Sequence, residues 1–306
     1  MLRQVILAAS RDPHVKRLVA GAPLSRGVVR RFVSGEAVDD AVRTTRALQQ
    51  SGLTVSLDHL GEDTLEAGQA EATVKAYLLL LDRLHDEGLT GGGRAEVSVK
   101  LTAVGQTIDP SLALDNARTV CEAARAVDTT VTLDMEDHTT TDSTLSVLAE
   151  LRRDFPTTGA VLQSYLRRTE ADCRDLAAAG SRVRLCKGAY KEPASVAYQS
   201  PAEVDRSYVR CLKVLMAGEG YPMVASHDPR LVAIAGALAE DRPQGSYEYQ
   251  MLFGIRPHEQ QRLADAGETV RVYVPYGDEW YGYLMRRLAE RPANLVFFLR
   301  ALASRS

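Results

Sequence analysis

Four cysteines are all that this chain of 306 residues contains, and no two of them form a C-x-x-C pair. Cys121, Cys173, Cys186 and Cys211 are scattered, which points away from a zinc ribbon or a disulfide framework and fits a reducing cytoplasm. Long apolar runs are equally scarce. The opening "MLRQVILAASRDPHVKRLVAG" has a short apolar run before Ser10, Arg11 and Asp12, too short for a signal-peptide core, and no later stretch approaches a membrane span. Positive charge is not in excess: 37 Lys and Arg face 40 Asp and Glu, for a formal net charge of -3. Without a basic stripe interleaved with aromatics, nucleic acid is not an expected partner. No G-x-G-x-x-G occurs, which closes the two-domain Rossmann route to a dinucleotide.

What is present is an ordinary globular balance, 45% hydrophobic and 25% charged, enough to bury a sizeable core. Eight β-branched runs recur, each followed by a helical stretch: "TVSLDHL", "AEVSVKLTAV", "TTVTLDME", "GAVLQSYL", "RVRLCKGAY", "YPMVASHD", "SYEYQMLFG" and "TVRVYVPYG". The stretches between them carry helix punctuation. Asp109-Pro110 reads as a cap with proline in the first turn, Asp142 precedes "STLSVLAELRR", and Thr169 precedes a segment ending on Gly180. Strands alternating with helices imply a parallel sheet, and eight such units predict a closed (β/α)8 barrel, a TIM-like α/β fold. Residues 1–50 precede this pattern and read as an N-terminal helical arm, leaving 51–306 as the catalytic barrel.

Barrel enzymes carry their chemistry where strands end and loops begin. Here those ends supply Asp58, His59, Lys100, Asp134, Glu136, Gln163, Arg184, Lys187, Ser226, His227, Glu248, Gln250, Tyr273 and Tyr276, a dense polar ring. Polar groups inside apolar strands are costly unless paired or exposed at the mouth. Each has a bland reading: Lys100 snorkelling to the rim, His227 as a satisfied structural histidine, Asp134 capping its loop. "YLMRRLAE" likewise reads either as a solvated helix end or as an anion clamp, with Glu290 bracing Arg286 and Arg287. Three enzyme classes remain open on these residues alone. A metal-dependent hydrolase would want more than the one His of "LDHL"; a Schiff-base lyase would use Lys100 or Lys187 with a lowered pKa; a cofactor oxidoreductase would use the ring to hold a flavin or nicotinamide. A non-enzymatic binding protein explains the ring poorly.

Longer strings carry more. "VSVKLTAVG", "LDMED", "GAVLQSYLRR", "VRLCKGAYKEP", "VASHD", "EYQMLFGIR", "VRVYVPYG" and "YLMRRLAERPAN" resemble, in order, the motifs of flavin-dependent proline dehydrogenases, over residues from about 95 to 298. The chain is too short to hold the aldehyde dehydrogenase module of bifunctional relatives, so it resembles the monofunctional bacterial form. The resemblance implies oxidation of L-proline to 1-pyrroline-5-carboxylate, with hydride passing to N5 of non-covalent FAD and electrons leaving to a membrane quinone. It matches Lys100, Arg286 and Arg287 to binders of the proline carboxylate, with Glu290 holding Arg287. Tyr190, Leu252, Tyr273 and Tyr283 match walls of the proline pocket, the last on a helix placed over the site. Asp134 matches an active-site acid and Arg184 a guanidinium near flavin N5. Met135, Gln163, Lys187, Gly188, Ala189, Ser226 and His227 match flavin contacts, where Gly188 would let backbone approach the cofactor. Tyr273 implies proline over hydroxyproline, because hydroxyproline-oxidising relatives carry a smaller residue there. Cys186 and Ser226 depart from the usual aliphatic residue and threonine, both conservatively in size. No metal, no nucleic acid and no stable membrane anchor are expected; a homo-oligomer, and a cytoplasmic protein touching the inner face of the membrane transiently, are compatible with the resemblance.

Overall fold

The computed structural model describes residues 29–290, with side chains through 285. All eight predicted runs form strands: β1 (Thr54–His59), β2 (Ala95–Lys100), β3 (Val131–Asp134), β4 (Gly159–Gln163), β5 (Arg182–Cys186), β6 (Tyr221–Ala225), β7 (Glu248–Leu252) and β8 (Val270–Tyr276). They close in sequence order into a parallel barrel, with β1 paired to β8. Helices alternate with them: α1 (Val38–Gln50), α2 (Ala67–Asp86), α3 (Pro110–Ala126), α4 (Thr141–Asp154), α5 (Thr169–Asp175), α6 (Pro201–Ala217), α7 (Pro229–Ala239), α8 (Pro257–Asp265) and α9 (Trp280–Glu290). The expected cap before α3 is present, since the Asp109 side chain accepts from the Ser111 N–H with Pro110 in the first turn. Two punctuation marks differ from the reading. Helix α4 starts at Thr141, so Asp142 lies inside its first turn, and α5 stops at Asp175, five residues before Gly180.

Strand alternation divides the barrel wall into two chemistries. Outward positions such as Val55, Leu57, Val97, Val99, Leu133, Leu162, Val183, Leu185, Val272 and Val274 are buried against the helices. Inward positions hold Ser56 and Asp58, Glu96 with Ser98 and Lys100, Thr132 and Asp134, Arg184, Glu248 and Gln250, then Arg271 and Tyr273. A barrel interior is commonly filled by branched apolar side chains; here its filling is ionic. Glu248 Oε1 accepts from Arg271 Nε at 2.8 Å, and Arg182 Nη2 donates to Glu96 Oε2 at 2.6 Å. Burial pushes the Glu96 carboxyl up, but the guanidiniums of Arg182, Arg271 and Arg184 outweigh it and hold it at about 2.

The segment before α1 crosses the mouth end of β8. Ser34 N–H donates to the Pro275 carbonyl at 3.0 Å, Gly277 N–H to the Gly35 carbonyl at 3.0 Å, and Trp280 Nε1 to Glu36 Oε1 at 2.7 Å. Helix α1 itself packs against β1 and β8, on the outside of the seam where the barrel closes. Helix α9, which follows β8, instead brings Tyr283 to the cavity at the mouth. Among the described residues no helix is long and apolar enough to cross a membrane.

Candidate active site

A cavity of about 710 Å³ opens at the C-terminal ends of the strands, within the size range of small-molecule sites. Lys100, Asp134, Met135, Gln163, Arg184, Lys187, Gly188, Ala189, Tyr190, Ser226, His227, Leu252, Tyr273 and Tyr283 all line it. These are all the expected site residues whose side chains are described; Arg286, Arg287 and Glu290 have side chains outside the described residues. Helix α9 nevertheless puts positions 286 and 287 three and four residues beyond Tyr283, one turn further along.

Lys100 ends β2, with Asp58 near the end of β1 beside it. Its Nζ donates to both Asp58 oxygens, at 2.9 and 2.8 Å, and the pair is buried. Burial works against the ammonium, yet Asp58, Asp134 and Glu62 outweigh it and carry its pKa above the ordinary lysine range. A Schiff-base nucleophile needs the opposite shift, so Lys100 does not suit the lyase reading. The metal-dependent reading finds no donor group of three or more His, Cys, Asp or Glu among the described residues.

Arg184 forms the floor. Its guanidinium has five N–H donors and every nitrogen donates: Nε to Gln250 Oε1, Nη1 to Ser98 Oγ at 2.9 Å and Asp134 Oδ1 at 2.7 Å, Nη2 to Ser56 Oγ at 3.0 Å and Glu96 Oε1 at 3.3 Å. The Tyr273 ring also lies against it, 5.3 Å from the guanidinium carbon. Burial lowers the Arg184 pKa, but Asp134 and Glu96 more than reverse this, so the cation is permanent. Asp134 is in turn saturated. Its Oδ1 accepts from Arg184 and from Ser98 Oγ at 2.8 Å, and its Oδ2 from the Tyr273 hydroxyl at 2.7 Å. Burial, followed by Asp134 and Asp58, pushes the Tyr273 phenol well above its usual range, so it stays a donor.

The opposite rim carries smaller groups. His227 Nε2 accepts the Leu252 N–H at 2.9 Å, so in a neutral ring the proton sits on Nδ1. Gln163 donates to the Glu136 carbonyl at 2.7 Å, and Lys187 pairs with Asp205 at 2.6 Å and Asp228 at 3.3 Å. Gly188 has a positive φ of 108°, and a Cβ there would stand 2.3 Å from the Tyr165 ring. The glycine is therefore required by the packing of the protein itself, a reason that the sequence reading, which looked only to a cofactor, did not contain.

The ionic lining holds four carboxylates, Asp58, Glu62, Asp134 and Asp228, against the three cations Lys100, Arg184 and Lys187. Sequence reasoning assigned no role to Asp58, Glu62, Asp228 or Gln250, though Asp58 and Gln250 stood among the polar strand ends. It passed over Glu96, Arg182 and Arg271 altogether. Their signal was available: in "AEVSVK", "RVRLC" and "TVRVYV" the charged residues alternate with apolar ones, the period of a strand with one polar face.

A family model described as Proline dehydrogenase matches residues 41–300. Proline dehydrogenase 1 of Bacillus subtilis is 36% identical over 304 residues, covering 99% of each chain. Proline dehydrogenase of Deinococcus radiodurans is 36% identical over 309 residues, covering 99% of this chain and 98% of its own. Among solved structures, proline utilization A (PutA) from Bdellovibrio bacteriovorus, inactivated by N-propargylglycine, superposes with a TM-score of 0.81 at 27% identity. That match covers 92% of this chain and 34% of the longer protein.

Proposed function

The chain belongs to the proline dehydrogenase family and is an oxidoreductase that oxidises proline; we propose that it uses non-covalent FAD and yields 1-pyrroline-5-carboxylate. FAD, when bound, would supply a hydride acceptor for the ring carbon beside the proline nitrogen and an electron route to a quinone. The observation that carries this reading is the convergence of every described candidate residue on one cavity. The donor set also fits a flavin. Gln163, Lys187, Ser226 and His227 offer polar contacts along one side, and Gly188 and Ala189 present little more than backbone. A second cavity of about 340 Å³ shares Lys187, Gly188, Ala189 and Tyr190 with the first, leaving room for the nucleotide end of the cofactor.

Proline binding follows from charge. Four carboxylates against three cations are a poor reception for a carboxylate substrate, so further cations are needed. Arg286 and Arg287, at positions one turn beyond Tyr283 on the same helix, would supply two guanidiniums. Lys100, already one of the three, completes the clamp: two of its three N–H groups serve Asp58, and one is left for the substrate. Each charge-assisted bond contributes about 1.5–3 kcal/mol. Asp134 anchors Arg184 and Tyr273 and has no need to accept a proton. Arg184, locked by its five bonds, would offer a fixed positive charge to offset the negative charge of a reduced flavin, without reorganisation during the reaction. Tyr190, Leu252, Tyr273 and Tyr283 exclude water and limit substrate size. The electron acceptor is a quinone in this reading, met at the membrane without a spanning helix among the described residues.

The test is direct. Purified protein should be yellow or bind added FAD, and anaerobic L-proline, but not hydroxyproline, should bleach the oxidised-flavin band. A colourless protein that binds no FAD would refute the cofactor assignment.

A further inference from the structure

Glu192 lies in the loop between β5 and α6, where with Tyr165 it borders the second cavity but not the first, and it is only 7% exposed. Burying a carboxylate is costly unless its oxygens are fully engaged. Here they are. Oε1 accepts the His138 N–H at 2.9 Å and the Tyr165 hydroxyl at 3.2 Å, while Oε2 bonds Nδ1 of His138. The Glu192 carbonyl accepts from Gln199 Nε2 at 3.2 Å, which fixes its own loop. His138 belongs to the loop after β3, the loop that begins with Met135; Tyr165 belongs to the loop after β4. One carboxylate thus joins three loops at the barrel mouth.

Tyr165 passes this constraint to the cavity wall. Its N–H donates to the Lys187 carbonyl at 2.9 Å, and its ring lies so close beneath Gly188 that even a methyl group there would collide. Where Tyr165 sits therefore decides where the Lys187–Tyr190 backbone sits, and that stretch borders both cavities. We propose that Glu192 is a positioning residue for the cofactor: through His138 and Tyr165 it locks the Met135 loop and the Lys187–Tyr190 loop in the relative arrangement that accepts FAD. The inference rests on the FAD reading above. A carboxylate suits the task because two oxygens can accept from both loops at once.

The experiment uses the full chain stripped of FAD, titrated with FAD by flavin fluorescence, together with thermal melts of the stripped forms. Glu192→Ala should weaken FAD binding by about tenfold or more, the loss expected when one buried acceptor disappears. Glu192→Gln, which keeps an acceptor for His138 N–H and Tyr165 and a donor for His138 Nδ1, should stay within about threefold of wild type. Tyr165→Phe keeps the ring under Gly188 and removes the hydroxyl that bonds both Glu192 and the Tyr190 backbone; it should weaken FAD by about three- to tenfold with the stripped protein's Tm nearly unchanged. Should the Ala variant fail to fold, Tyr165→Phe decides alone. Unchanged FAD affinity in the folded variants, or a Gln variant as weak as Ala, overturns the inference while leaving the FAD reading intact. Wild-type protein that binds no FAD removes both.

Discussion

Replacing Lys100 with methionine separates the job that the structure shows for this side chain from the one proposed for it. The first is internal. Asp58 is 1% exposed and its cation is Lys100, so Lys100→Met strands a buried carboxylate. Breaking a buried pair from one side costs about 3–5 kcal/mol, which at about 2–4 °C per kcal/mol is a Tm drop of roughly 6–20 °C. The second, proposed job is to bind the proline carboxylate, where loss of one charge-assisted bond should raise KM by about 10- to 150-fold. Adding Asp58→Asn to Lys100→Met removes the stranded charge and should return most of the lost Tm. It cannot return the bond to proline, so KM should stay high in the double variant. Melting curves and steady-state kinetics on wild type, both single variants and the double variant provide the assay. A KM that recovers together with Tm would mean that Lys100 acts only through Asp58, and an unchanged Tm in Lys100→Met would refute the energetics of the pair.

Four further outcomes are expected. Glu136 is buried with its carboxyl pushed up by that burial to about 7, against bonds from Thr102 that lower it. Its neutral form is the one the fold favours, so this stability is complete below the unfolded value of 4.5 and is lost as pH rises to 7, by about 3 kcal/mol. Wild type should therefore lose more Tm between pH 5 and 7.5 than Glu136→Gln, and parallel slopes would refute the assignment. Tyr273→Ser frees both space and the Asp134 Oδ2 acceptor beside it, so the ratio of kcat/KM for hydroxyproline to that for proline should rise. Arg286→Met or Arg287→Met should raise the proline KM by about 10-fold or more with FAD still bound, and an unchanged KM would remove that arginine from the clamp. Gly188→Ala, at a φ of 108° and against the Tyr165 ring, should lose FAD affinity even where the protein folds, which titration with FAD measures.

The barrel was legible because hydrophobic periodicity is a local property. Each β-branched run and each capped helix, such as the one after Asp109, declares itself within a dozen residues, and eight alternations have few ways to close. The positions of the candidate site were legible for a related reason: strand ends in a barrel meet at one mouth whatever their separation in sequence. Helix ends were less so. "STLSVLAELRR" and "EADCRDLAAAG" are each compatible with boundaries shifted by a residue or several, and tertiary packing made the choice.

Composition and pattern by themselves determined a closed parallel barrel with a polar mouth, and the long motifs determined the family. Which polar groups pair was decided only in three dimensions. Lys100 meets Asp58 across 42 positions, Arg184 meets Ser56 across 128 and Tyr273 meets Asp134 across 139, distances over which no local pattern carries information. The same holds for Gly188, whose need for a bare backbone comes from Tyr165 on a neighbouring loop. Partner choice among buried charges depends on register around the closed sheet, because a buried charge must find its counter-charge within a few ångströms and the strands alone do not say which neighbour will be there.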